Sequence, residues 1–181
     1  MAIWNSRGLR GSGLEEEINL TNEKYRDAGL ALVQKIPTPI TPIEMDKEHG
    51  HITLAYFEQK STVDYIGAVQ GIPICFDAKE CREDAFPLKN IHSHQLRFME
   101  DMERQGGVAF LIVSFVKHEA CYYLRFQKLM EFIAREQAGG RKSFRIEEME
   151  QDFLLEEHSG FLIPYLDGLQ KDLEYRDKDT D

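Results

Sequence analysis

Between residues 62 and 80 the chain reads TVDYIGAVQGIPICFDAKE, two apolar runs around a Gln70-Gly71 pair, with Asp64, Asp77 and Lys79 set among hydrophobic neighbours. A two-residue loop at Gln70-Gly71 closes the runs into a hairpin, because glycine supplies the positive φ that such turns need. Val69 then faces Ile72, Gly67 faces Ile74, Tyr65 faces Phe76 and Val63 faces Ala78, which makes one face apolar and assigns it to the core. The same register sets Asp64 against Asp77 and Thr62 against Lys79 on the other face. Residues so opposed stand about 5 Å apart, and like charges there oppose pairing unless something neutralises them. A divalent cation between the two carboxylates does so, with oxygens from Thr62 and water, and phosphate oxygens complete the shell that Mg2+ favours. Lys79 points to the same side about 7 Å along the strand from Asp77, placed to polarise a water or to stabilise charge on a phosphorane. A structural reading stands beside this one, in which Lys79 simply neutralises a buried acid cluster.

Other polar candidates are less specific. Glu15, three residues after Ser12, is either a capping-box acid or an additional acid of the site. His92 and His94 have no third ligand at convincing spacing and read as helix-entry or phosphate-contact residues. Two basic stretches, SRGLR with Arg7 and Arg10 and GRKSFR with Arg141 and Lys142, are candidate phosphate contacts. Cys75, Cys81 and Cys121 match no zinc spacing and read as reduced packing residues.

The elements that must hold these groups can be read from periodicity. Leu14, Ile18, Thr21 and Tyr25 recur at helical spacing through SGLEEEINLTNEKYRDAG, which predicts a first helix ended by Gly29. LALVQKIP opens as a strand, and Pro37, Pro39 and Pro42 then predict an irregular, projecting arm. HITLAYFEQ reads as a strand, SHQLRFMEDMERQ as a helix, and GVAFLIVSFV as a buried strand with ACYYLRF as its antiparallel partner. QKLMEFIAREQ and IEEMEQDFLL read as helices, and the acidic end from about 172 to 181 as a frayed tail. This order predicts an α/β class, a mixed β-sheet flanked by helices, in a single domain over 1–181. No apolar run is long enough for a signal peptide core or a membrane span, so the cytoplasm is the expected location, with no membrane partner. The 22 basic and 32 acidic residues leave a net charge of −10, against the usual balance of a DNA-binding protein.

The same residues carry a family resemblance. RGxxxxxLEEEINLTN at 7–22, IPTPI at 36–40, AYFEQKSTVDYIG at 55–67, FDAKE at 76–80, FPLKNIHSHQ at 86–95 and GRKSFR at 140–145 together resemble the RecU family of Holliday-junction resolvases, also called penicillin-binding-protein-related factor A. The resemblance implies a PD-(D/E)xK restriction-endonuclease-like core and a homodimer dependent on Mg2+, with Mn2+ as a substitute. It implies paired nicks across a four-way DNA junction in recombination and repair, with recombination proteins as further partners. Carried onto this chain, it places the metal site on Thr62, Asp64, Asp77 and Gln95 and makes Lys79 the transition-state stabiliser. Glu15 falls where the family has an acid, and the segment from 36 to about 52 corresponds to a stalk that enters the open junction. The chain departs from the family at Asp77, where Glu is usual, in its short basic arm, and in the acids Glu44, Asp46 and Glu48 of the stalk. The rival function is a nuclease-fold protein that binds branched DNA or a recombination partner and hardly cuts.

Overall fold

The computed structural model describes residues 12–57 and 62–178. Helix α1 (Ser12–Asp27) buries Leu14, Ile18, Thr21 and Tyr25, the predicted stripe. Strands β1 (Leu32–Lys35), β2 (Ile40–Asp46), β3 (His51–Phe57), β4 (Tyr65–Val69), β5 (Ile72–Cys81) and β6 (Ala85–Pro87) follow. Then come α2 (Ser93–Arg104), β7 (Val108–Phe115), β8 (Ala120–Arg125), α3 (Phe126–Gln137), β9 (Ser143–Arg145), β10 (Leu154–Leu155) and α4 (Tyr165–Lys178). Among the described residues, no helix is long and apolar enough to cross a membrane.

Six strands form the main sheet in the order β1-β4-β5-β7-β8-β10. The neighbours β5 and β7 run parallel with α2 between them in sequence, and the other pairs of this sheet are antiparallel. This is the expected α/β class with a mixed sheet and flanking helices. Both faces of the sheet are covered, however, rather than the one face that the hairpin alone implied. Cys75, Ala109, Leu111 and Val113 pack with Met99 of α2 and Leu129 and Phe132 of α3. On the other side Ile74, Phe76, Phe110 and Ile112 pack with Ile18 of α1 and Tyr165 and Leu169 of α4. A parallel pair needs a crossover, and crossover helices cover the faces of the sheet they join. The charged side of the hairpin therefore lies under protein, which is why Asp77 is fully buried.

On the α1/α4 side, Tyr65, Phe76, Phe110 and Tyr123 stack across four strands with ring centroids 4.7, 4.7 and 4.2 Å apart. Each such contact adds about 0.5–1.5 kcal/mol to the burial of the rings. The row gives β5 a stiff backing directly behind Asp77 and Lys79.

Three expectations change. The 36–52 arm is regular: β2 and β3 pair as a separate antiparallel ribbon that continues to Phe57, with Pro42 at a bulge. No residue from 36 to 57 is buried, so the ribbon stands off the sheet. The Asp46 carboxylate shapes its tip by accepting the backbone N–H groups of Glu48 and His49 at 2.9 and 3.2 Å. IEEMEQDFLL is not a helix but two 3-10 turns and the short edge strand β10, because Met149, extended between the turns, and Phe153, which closes the second turn, both face inward to the core. The acidic end is ordered as α4 through Lys178. Asp172 is fully buried there and accepts hydrogen bonds from Tyr123 Oη and Arg176 Nε, both at 3.0 Å, while Arg176 also grips Glu103 of α2. That network gives the buried carboxylate the partners it needs, and a reading by charge alone misses it.

Candidate active site

β5 presents Asp77 and Lys79 on one side of the sheet, and β4 brings Asp64 alongside. The register runs Val69↔Ile72, Gly67↔Ile74 and Tyr65↔Phe76, as the sequence predicts. The ladder then stops at Tyr65, one residue short of the acids. Beyond it the carboxylates take over the bonding: Asp77 Oδ1 accepts the Asp64 backbone N–H at 2.7 Å, and Asp64 Oδ2 accepts the Ala78 N–H at 3.1 Å. Each acid thus ties down the other's strand, and the like charges meet as a reciprocal clasp instead of a cross-strand pair.

The second oxygen of Asp77 is the electrostatic weak point of this arrangement. Among the described residues Oδ2 is buried with no hydrogen bond and has the Lys79 ammonium beside it, 3.1 Å away as an ion pair. Burial pushes the Asp77 carboxyl up to about 6, with Lys79 pulling it down and Asp64 pushing it up. Gln95, near the start of α2, accepts the His92 backbone N–H at 3.0 Å on Oε1 and stands 3.5 Å from Lys79 Nζ. It belongs to the cluster, but its oxygen is turned to these donors. Thr62 is exposed two residues before Asp64. Among the described residues, no group of three or more His, Cys, Asp and Glu side chains is set to hold a metal ion.

Glu15 leaves the capping role open to it. Its carboxylate pairs with Lys35, and the α1 N–H of Leu14 is accepted instead by Glu80 at 3.3 Å. Tyr65 Oη reaches Glu15 O and Asn19 Oδ1 at 3.3 and 3.1 Å, which fastens α1 to β4. Glu15, Lys35, Ile36, Pro37, Thr38 and Asp64 together line a groove of about 510 Å³. A larger groove, about 640 Å³, includes Glu17, Glu80, Glu119, Glu156 and Glu157 in its wall, and that charge repels phosphate. The smaller groove has Asp64 of the carboxylate clasp in its wall.

The basic candidates are scattered. Arg141 pairs with Glu148 at 3.0 Å, and Lys142 is exposed beside it on the loop before β9. Arg7 and Arg10 lie outside the described residues. Sequence reading passed over Lys35, whose signal was faint: a strand-ending lysine just before the proline-rich segment. The three cysteines are free thiols, with Cys75 and Cys81 buried as packing groups.

Comparison with known proteins bears on this geometry. The family model described as Recombination protein U matches residues 9–171. The protein named Holliday junction resolvase RecU of Pediococcus pentosaceus is 41% identical over 172 residues, covering 92% of this chain and 86% of its own. Its namesake in Geobacillus kaustophilus is 42% identical over 146 residues, 78% of this chain and 73% of that one. Among solved structures, the Holliday junction resolvase Hjc of Archaeoglobus fulgidus is similar over 66% of this chain and 75% of its own, with a TM-score of 0.42 and 10% identity.

Proposed function

Because the chain belongs to the Recombination protein U family, we propose that it is a structure-selective endonuclease that resolves four-way DNA junctions. It cuts by metal-dependent phosphodiester hydrolysis, as a homodimer acting in recombination and repair. The described residues serve as one nuclease domain, with the β2–β3 ribbon as the projection that enters the junction. The observation that carries this reading is the reciprocal clasp of Asp64 and Asp77 with Lys79 at its side.

The donors fit a hard divalent cation. Asp77 Oδ2 is buried without a hydrogen bond, Asp64 borders the groove, and the nearby ligand atoms are all oxygens. Two carboxylates are an incomplete shell, the kind that Mg2+ fills with water and substrate phosphate, and Mn2+ accepts the same oxygens. When bound, such an ion lowers the pKa of a water and draws charge from the phosphoryl oxygens. Asp64 and Asp77 would hold it, with Thr62, two residues before Asp64, as a further oxygen donor. Gln95 acts through Lys79 in this reading, steadying the ammonium by accepting from it, more than as a ligand in its own right. Lys79 then meets the negative charge that develops on the attacked phosphate, which a fixed, poorly solvated cation stabilises strongly. Glu15 stands at the edge of the groove as an additional acid, and Arg7, Arg10, Arg141 and Lys142 add phosphate contacts.

The deciding experiment compares a labelled four-way junction with linear duplex of the same sequence, in Mg2+, in Mn2+ and in chelator. Symmetric, metal-dependent nicks confined to the junction are expected. Tight junction binding with no cleavage in either metal would leave a binding protein in place of an enzyme.

A further inference from the structure

We propose that Lys35 grips a backbone phosphate of the DNA strand alongside the Asp64–Asp77 centre, exchanging Glu15 for that phosphate when DNA enters the groove. The inference rests on the nuclease reading above and adds to it a phosphate subsite. Six residues line the groove, and three of them are charged: Glu15, Asp64 and Lys35. Among the described residues of its wall, a polyanion approaching the clasp there meets two carboxylates and one cation. The other cation of the centre, Lys79, is committed to Asp77 and Gln95.

The backbone around Lys35 is well fixed. β1 pairs Lys35 with Tyr65, and the next residue, Ile36, donates its N–H to Asp64 O at 2.8 Å, so the base of the lysine is registered to the acid it accompanies. Its ammonium is free to change partners. The pair with Glu15 is exposed, 42% and 33% for the two side chains, and exposed pairs hold their partners weakly. A phosphate offers charge-assisted hydrogen bonds and the release of condensed counterions in exchange. Lys35 also ends β1 directly before the segment leading to the ribbon, so one contact there ties strand position to stalk position.

The test is a salt series of DNA binding in chelator, where no divalent cation takes part, on duplex and on four-way junction. Unsubstituted protein is compared with Lys35→Ala, Lys35→Arg and Glu15→Gln, each checked for an unchanged thermal midpoint. Lys35→Ala is expected to weaken binding about five- to tenfold on both DNAs and to reduce the slope of log affinity against log salt by about 0.9, the value for one phosphate contact. Lys35→Arg should restore both. Glu15→Gln should tighten binding about two- to fivefold, because it removes the competitor for the ammonium and one repulsive charge. An unchanged slope in Lys35→Ala overturns the subsite, and so does weakening by Glu15→Gln in parallel with Lys35→Ala, which marks a merely structural pair. Failure of the nuclease reading looks different: the unsubstituted protein would leave junctions uncut in Mg2+ while the slope difference persisted.

Discussion

Replacing Asp77 by asparagine probes the centre while hardly changing its shape. In the metal-free protein the Asp77 carboxyl is fully buried, and burial pushes it from the ordinary 3.8 up to about 6, net of the attraction of Lys79 and the repulsion of Asp64. A displacement of about two pKa units corresponds to about 3 kcal/mol. The native state thus binds this proton more tightly than the unfolded chain. Below pH 3.8 both states hold it and nothing is lost; between 3.8 and 6 the native state loses stability as pH rises; above 6 the full penalty remains. The asparagine side chain would carry no charge and would still accept the Asp64 N–H through its amide oxygen. Its amide nitrogen, facing Lys79 where Oδ2 stood, subtracts about 1 kcal/mol at every pH. Stability of Asp77→Asn relative to the unsubstituted protein should therefore climb by up to about 3 kcal/mol between pH 4 and 7, ending about 2 kcal/mol ahead. Urea denaturation in chelator at pH steps across that range measures it. Mg2+ should then stabilise the unsubstituted protein and not the variant, and junction cleavage should disappear. Parallel stability curves for the two proteins would refute the buried-charge account, and undiminished cleavage by the variant would remove Asp77 from the chemistry.

Lys79→Ala should keep metal-dependent stabilisation but slow single-turnover cleavage roughly a hundredfold or more, since Lys79 acts on charge that develops in the transition state; loss of metal affinity with unchanged chemistry would make it a structural counter-ion. Replacing residues 40–57 by a short Gly/Ser bridge should abolish the preference for four-way junction over duplex while duplex binding survives, as read by competition binding in Ca2+. Gly67→Ala should cost about 1–3 kcal/mol in urea denaturation, because a Cβ there would lie 2.3 Å from Leu32 O and force β1 off β4; weaker DNA binding should follow, since β1 carries Lys35.

Local rules made the chemistry legible. The apolar alternation and the Gln70-Gly71 turn specify the hairpin's register, and both residues do take positive φ, +48° and +90°, as a primed turn requires. Given that register, Asp64, Asp77 and Lys79 had to converge. The stripe on α1 was equally readable, because period-3.6 burial is written in the residues themselves. Tertiary structure decided the rest. The ladder ends at Tyr65 because two carboxylates bond across to the backbone, a choice that depends on burial from the α2 side. Glu15 had a local role open to it at the helix start and took a distant one, with a lysine 20 residues away that β1 delivers to it. The chain from about 172 looked like a charged tail until Tyr123 and Glu103, far off in the chain, supplied partners for Asp172 and Arg176 on α4. Side-chain period reports which way a residue faces, but which charges meet depends on how whole layers pack, and no short window of sequence contains that.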